Sequence, residues 1–309
     1  MHLVHCNFCK RNDASLLFTG RDLLHGIPGS FDLVRCNHCG LIYLNPQPSV
    51  DELAPYYPED YEAHVGTRKE QLGWLRRLDY RYGVEKRYRA ISRYIQTGRI
   101  LDIGCATGAF LDGVRAHGWQ VEGIEPGVRA AAYAQEELGI PVQNTSLEEA
   151  QLKSESLDVV TMWNVLEHLS DPQTALIKIS RALRPGGILV FAVPNILSYD
   201  HKLFQSYWAG YDTPRHLYVF PPPVLEVMLA RAGLELAERR CIYGTYNAFV
   251  YSARFAMMDR IASQTTRSRL TQLLQAIPVR IMMMPLSRVV DLLNRGSIMT
   301  WFCRKVAAS

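Results

Sequence analysis

RILDIGCATG, residues 99–108, decides the fold. After Arg99 comes a short apolar run of the kind that fills a strand buried on both faces. Gly104 and Gly108 then bracket a turn that opens a helix. The alternation continues downstream. GAFLDGVRAHG places Phe110, Leu111 and Val114 on one helical face and stops at Gly118. WQVEGIE reads as a second strand, VRAAAYAQEELG as an alanine-rich helix closed by Gly139, IPVQNTS as a third strand and LDVVTMW as a fourth. Asp171-Pro172 opens a helix with Asp as N-cap and Pro at its first position. That helix is expected to run to Leu183, where Pro185-Gly-Gly187 breaks it before the fifth strand, ILVFAVP. Strands alternating with helices imply right-handed crossovers and a parallel sheet. Ligands bind such sheets outside the carboxyl ends of the strands, here near 103–108, 125, 144–146, 163–168 and 193–200.

The residues at those strand ends narrow the ligand. Asp102 stands two residues before Gly104, and Glu125 closes the second strand 21 residues after Gly104. An acid at the second position can accept both hydroxyls of a ribose. A dinucleotide site needs G-x-G-x-x-G to seat a pyrophosphate on the helix N-terminus, but the order here is G-C-A-T-G. A carboxylate beside that loop repels a pyrophosphate and suits an ammonium or a sulfonium. S-adenosylmethionine carries both, with an adenosine. A nicotinamide-dependent oxidoreductase is the alternative that this loop order disfavours.

Four blocks, LDIGCATG, VEGIEP, LDVVTMWNVLEHLSDP and ALRPGGILVFAVPN, appear in this order over residues 99–242. In them the chain resembles class I S-adenosylmethionine-dependent methyltransferases. The resemblance implies an α/β fold: a Rossmann-like seven-stranded sheet with its last strand antiparallel and helices on both faces. It also implies that Asp102, Gly104, Cys105, Ala106 and Gly108 form the loop along the methionine part of the cofactor. Glu125 would bind ribose, Pro126 would border adenine, Ser146 and Leu147 would lie along the adenine edge, and Trp163 and Asn164 would close over the methionine side. Two departures stand out. Ala106 occupies a place where the family more often has Gly, and Asn144-Thr145-Ser146 lacks the acid that often meets the adenine amine.

Cysteine spacing defines a second feature. Cys6-x-x-Cys9 and Cys36-x-x-Cys39 can present four thiolates tetrahedrally to a structural Zn²⁺, with no position left for catalysis. Ser15–Thr19 and Phe31–Arg35 read as a hairpin spanning the interval. Gly40 follows the second knuckle and Lys10 holds that place in the first. Cys105, Cys241 and Cys303 read as isolated buried residues. The knuckles followed by GLIYLNPQP resemble a bacterial methyltransferase subgroup linked to polysaccharide and modified-sugar biosynthesis. Some sugar C-methyltransferases carry a similar four-Cys site. The expected organisation is a zinc-ribbon-like segment at 1–45, a linker with basic helices at 46–98, a methyltransferase domain at 99–243 and 297–309, and a helical insertion at 244–296.

The chain has 309 residues, 48% of them hydrophobic and 21% charged, which excludes a disordered or fibrous protein. The N-terminus lacks the apolar stretch of a secretory signal, so the expected location is the cytoplasm, with peripheral contact at the inner face of the membrane through 254–296. From Arg68 to Arg93 there are nine basic residues against three acids, and from Arg254 to Ser309 nine against two. These segments fit an anionic or lipid-linked glycan substrate; a helical lid or a dimer face is the other reading of 254–296. A zinc-ribbon nucleic-acid binder is a further alternative, weakened because the knuckles carry no dense basic-aromatic surface. The expected reaction is O-methylation of a sugar hydroxyl, with C-methylation second. Hydroxyl acceptors need a base, and His216 in Asp212-Thr-Pro-Arg-His216 is the first candidate, within a 30-residue aromatic loop. His168 is expected to line the site. Glu167-His168 resembles a pair that helps hold a divalent ion in quinone O-methyltransferases, but Asn164 replaces an acid found there, so no catalytic metal is expected.

Overall fold

The computed structural model describes residues 1–58 and 74–306. The basic stretch before Trp74, with Tyr61, and the last three residues lie outside the described residues. Two compact units form. The first comprises Met1–Tyr56, Val193–Leu225 and Arg239–Thr300; the second comprises Tyr57–Ala192, Glu226–Glu238 and Trp301–Ser309.

A seven-stranded Rossmann-like sheet is built from β4 (Arg99–Ile103), β5 (Gln120–Ile124), β6 (Val142–Gln143), β7 (Leu157–Trp163), β8 (Leu183–Pro194), β10 (Leu234–Arg240) and β11 (Ile298–Lys305). The order across it is β10-β11-β8-β7-β4-β5-β6. β4 lies parallel to β5 and β7, β5 to β6, and β7 to β8, while the antiparallel part comes at the end of the chain. The strand order reverses at β4, the first strand laid down, so the crevice for a ligand opens beside its carboxyl end. Ile100, Leu101, Val159, Val160, Leu189 and Val190 are buried, as a sheet covered on both faces requires. The crossover helices are α3 (Ala109–Arg115), α4 (Val128–Glu136) and α5 (Pro172–Ala182), preceded by α1 (Val50–Leu53) and α2 (Trp74–Ser92). The N-cap of α5 is Asp171, whose side chain accepts from the Thr174 N–H at 3.1 Å, with Pro172 opening the helix.

One expectation fails here. Pro185-Gly-Gly187 does not separate helix from strand, because β8 starts at Leu183. The pairing shifts from Leu157↔Leu183 to Val159↔Ile188, so Pro185 to Gly187 bulge out of a continuous strand. Proline costs little there because no ladder hydrogen bond is asked of it.

The first unit holds a four-stranded sheet, β1 (Ala14–Gly20), β2 (Phe31–Cys36), β3 (Ile42–Leu44) and β9 (Tyr218–Val219), in that order. The predicted hairpin is β1 paired antiparallel with β2. The stretch after β8, expected as a long loop, is ordered by α6 (Tyr199–Phe204), short 3-10 turns, and β9 pairing with β3. After α7 (Pro222–Arg231), three helices fill the predicted helical stretch: α8 (Thr245–Arg260), α9 (Gln264–Gln275) and α10 (Ile277–Leu292).

Candidate cofactor cleft and cysteine cluster

The second unit brings Asp102, the glycine loop, Glu125 and Trp163 to the carboxyl ends of neighbouring strands. Asp102 pairs across β4 with Gly123 on one side and Thr161 on the other. That register puts the Thr161 hydroxyl against the carboxylate, donating to Oδ1 at 2.6 Å. Asp102 is 2% exposed. Burial pushes its pKa up to about 7; the Thr161 bond and the positive field of Arg87 hold it down, and Glu125 raises it further. A buried carboxylate whose charge is penalised by desolvation gains from a cation brought beside it.

Glu125 ties the turn to the end of β5. Its Oε2 accepts from the Ala106 N–H at 2.8 Å and its Oε1 from the Gly127 N–H at 2.7 Å. Each carboxylate oxygen has two acceptor directions, so these bonds orient the group and leave capacity for ribose hydroxyls. Burial raises its pKa, and the two N–H bonds oppose the shift. The loop itself runs left-handed at Gly104 (φ 70°), Ala106 (φ 48°) and Gly108 (φ 73°). A Cβ on Gly104 would meet a Val165 methyl at 2.6 Å, so this glycine is demanded by space as well as by φ. Ala106 keeps the left-handed backbone that glycine adopts freely and is strained by its methyl. Cys105 is buried and burial raises its thiol pKa, which keeps it an uncharged filler.

Asn144 is exposed, and its amide donates to the carbonyls of Glu125 (2.8 Å) and Pro126 (3.1 Å), clamping the end of β5 to β6. Ser146 accepts from the Glu149 N–H at 3.3 Å as a turn cap, and Leu147 points into the core. Pro126 is exposed.

Trp163 is half-buried and meets Phe110 edge-on, with ring centroids 5.3 Å apart. Arg87 of α2 lies over both rings, 4.8 Å from the Phe110 centroid and 5.0 Å from that of Trp163. Nothing in the sequence separates Arg87 from the other eight basic residues around it; only the tertiary fold selects it. Asn164 has φ 57°. His168 ends a 3-10 turn, Leu166–His168, and its Nδ1 is 3.1 Å from the hydroxyl of Tyr57. This contact ties the half-buried Tyr57 to the end of that turn.

His216 belongs to the first unit. It is half-buried, and its Nδ1 lies 2.9 Å from the Gly210 carbonyl. A carbonyl only accepts, so Nδ1 carries the proton and the basic lone pair is on Nε2. Desolvation lowers its pKa, opposed by Asp212 and by the Gly210 bond, and keeps the ring neutral near pH 7. The adjacent Arg215 is wholly buried and donates to both oxygens of Asp212 (2.9 and 2.6 Å), to Asp22 (2.7 Å) and to the Tyr56 carbonyl (3.1 Å). Asp22 also accepts from the N–H groups of Leu24, His25 and Ile27, so Arg215 anchors the hairpin turn.

The four cysteines come together in the same unit. Sγ of Cys6 is 3.4 Å from that of Cys39, Sγ of Cys9 is 3.5 Å from that of Cys36, and all four sulfurs lie within 4.8 Å of one another. A tetrahedral zinc with bonds of about 2.3 Å sets sulfurs about 3.8 Å apart. The knuckles turn alike: the Lys10 N–H donates to the Cys6 carbonyl and the Gly40 N–H to that of Cys36, with Lys10 at φ 61° and Gly40 at φ 83°. The cluster therefore fits a zinc ion.

The sheet order, the glycine turn and the paired strand-end acids define the class: a Rossmann-like methyltransferase. The methyltransferase-domain family profile matches residues 75–239, and the chain belongs to this family of S-adenosylmethionine-dependent enzymes. The ubiquinone biosynthesis O-methyltransferase of Hahella chejuensis is 33% identical over 162 residues, covering 48% of this chain and 67% of that protein. The protein of the same description from Aromatoleum aromaticum is 33% identical over 153 residues, covering 45% and 65%. The chain thus spans about two thirds of the length of these relatives. Among solved structures, the [4+2]-cyclase SpnF shares the fold, with a TM-score of 0.50 at 18% identity over 85% of this chain and 98% of that one. The family match decides between the transferase and the oxidoreductase that the loop order had left as an alternative.

Proposed function

We propose that the chain moves the methyl group of S-adenosylmethionine onto a hydroxyl oxygen of a small ring-bearing acceptor. The observation that carries this reading is the pair of buried carboxylates, Asp102 and Glu125, on either side of a left-handed loop at the strand ends. The cofactor supplies an activated methyl on a sulfonium, which leaves as a neutral thioether. The chain's residues do the rest. Asp102 offers charge to the methionine end, Glu125 takes the ribose hydroxyls, and Arg87 above Trp163 is the cation suited to the methionine carboxylate. Trp163 and Phe110 keep water from the reacting carbon, and alignment in a dry site supplies most of the rate.

The acceptor's proton needs a base. His216 is proposed for that role because the Gly210 carbonyl fixes its Nδ1 as the protonated nitrogen and burial disfavours the charged ring, so Nε2 is its basic atom. His168, held by Tyr57, lines the acceptor side. The sugar hydroxyl read from the sequence is one acceptor. A hydroxylated ring on a route to ubiquinone is the second reading, supported by the descriptions of the relatives. A lipid-linked glycan would combine the first with a membrane-bound carrier. The four-Cys cluster is assigned a structural zinc that braces the small N-terminal sheet.

Incubation with methyl-labelled S-adenosylmethionine and two acceptor sets, nucleotide-linked sugars and hydroxylated benzoquinol precursors, tests the reading. Label in an alkali-stable methyl ether supports O-methylation, and the productive set names the acceptor. Label on carbon would refute it. His216→Ala should lower turnover at least about tenfold with cofactor binding intact, and turnover near wild type removes it as base.

A further inference from the structure

The bent helix pair α9 and α10 in the first unit buries none of its residues. Its outer surface is strongly apolar. Leu292 is 81% exposed, Met282 69% and Ile281 61%, with Leu273, Leu286 and Val289 each more than half exposed. Ile281, Met284 and Leu292 share one helical stripe, while Met282, Leu286 and Val289 share the next, so the apolar band is broad. A patch of this kind on a water-soluble surface marks a contact.

The charge on the same helix pair says what kind of contact. Residues 263–295 contain Arg267, Arg269, Arg280, Arg288 and Arg295, five cations, against one acid, Asp291, a net of +4. That acid accepts from the Thr245 hydroxyl at the foot of α8. The Tyr246 hydroxyl on the Leu274 carbonyl and the Arg267 guanidinium on the Met258 carbonyl fix the helix pair to α8 from the other side. The two helices are thus held to α8, with their apolar residues and the exposed Arg269 and Arg288 presented outward. A second copy of the chain is a poor occupant. A two-fold interface sets the same patch against itself, and this one would oppose arginines to arginines with no acid to pair them. An anionic bilayer offers hydrocarbon for the leucine, isoleucine and methionine side chains and phosphates for the arginines.

We propose that α9 and α10 lie in the interfacial plane of an anionic phospholipid membrane and dock the enzyme there. No single helix among the described residues is long and apolar enough to cross a membrane; α9 and α10 reach that length and composition only together, and a 62° bend where they meet keeps them from forming one straight span. The proposal stands whichever hydroxyl is methylated.

The test is co-sedimentation of the full chain with vesicles of phosphatidylcholine alone and of equimolar phosphatidylcholine and phosphatidylglycerol. The protein is expected to pellet with the anionic vesicles, less as salt rises from about 0.1 M to about 1 M and the screening length falls from about 10 to about 3 Å. Arg269→Gln with Arg288→Gln should weaken partition by about fivefold per charge removed. Ile281→Asp with Leu292→Asp should abolish it. Circular dichroism and cofactor affinity should match wild type in both variants, because neither pair belongs to the residues that form the cleft. Equal pelleting with neutral and anionic vesicles, or none with either, overturns the proposal. So does a dimer by light scattering that Ile281→Asp with Leu292→Asp dissociates while vesicle binding is absent.

Discussion

Replacing Asp102 by Asn should stabilise the cofactor-free protein and cripple cofactor binding, with a pH dependence that follows from the carboxyl's setting. Asp102 titrates near 7 in the fold against an ordinary 3.8, chiefly because burial penalises its charge. Between those values the unfolded chain has lost the proton that the folded chain still holds. The folded state binds more protons there, so stability falls as pH rises through the window and levels off above about 7. At about 1.4 kcal/mol per unit, the full window costs wild type up to about 4 kcal/mol. Asn keeps the acceptor for the Thr161 hydroxyl and carries no charge. Its advantage over wild type should therefore grow by up to about 3 kcal/mol between about pH 5 and about pH 8. Urea unfolding of both proteins at the two pH values measures this. Calorimetry in two buffers adds a second readout: a cation entering the site should expel about half a proton from wild type at about pH 7, and none from the Asn variant. A difference in stability that does not change with pH, or an Asn variant that is less stable at the higher pH, refutes the reasoning.

Ala106→Gly should raise stability by about 0.5–1 kcal/mol by denaturant melt, because relief of a left-handed alanine exceeds the entropy that glycine gives back to the unfolded chain. A loss of stability would show that the methyl makes contacts that outweigh its strain. Arg215→Ala leaves Asp22 and Asp212 without their guanidinium and should cost about 3–5 kcal/mol, with the melt of the N-terminal sheet shifted most. Purified protein should contain one zinc per chain by elemental analysis, and Cys36→Ser should release it and lower the melting temperature by several degrees. Metal-free protein with the same melt as the metal-loaded form would assign the cluster another role.

Much of the sheet was legible because its signals are local. A five-residue apolar strand, a glycine turn and a capped helix repeat through residues 99–182, and each carries its own chemistry in a short window. The Asp171-Pro172 cap and both cysteine knuckles are of this kind. The bulge at Pro185 to Gly187 was misread because the same residues end helices and interrupt strands, and only the pairing of β7 with β8 tells the two apart. β9 could not be read at all: two residues have no period, and their partner, β3, lies some 170 residues earlier. Asp102 and Glu125 announce themselves by position, but the contacts of Arg87 and Tyr57 do not. Those contacts depend on where α2 and the Tyr57 backbone come to rest against Trp163 and His168. Arg215 was overshadowed by its neighbour His216, since a buried guanidinium shows its purpose only when both of its carboxylates are located.

Titration calorimetry of S-adenosylmethionine and S-adenosylhomocysteine into wild-type protein and Glu125→Gln tests the central claim most directly. Both compounds should bind wild type at one site per chain, and the loss of one carboxylate oxygen should weaken both at least about tenfold, since a charged acceptor of ribose hydroxyls becomes a neutral one. Absence of heat from either compound, or equal affinity in the two proteins, would contradict the assignment of this cleft.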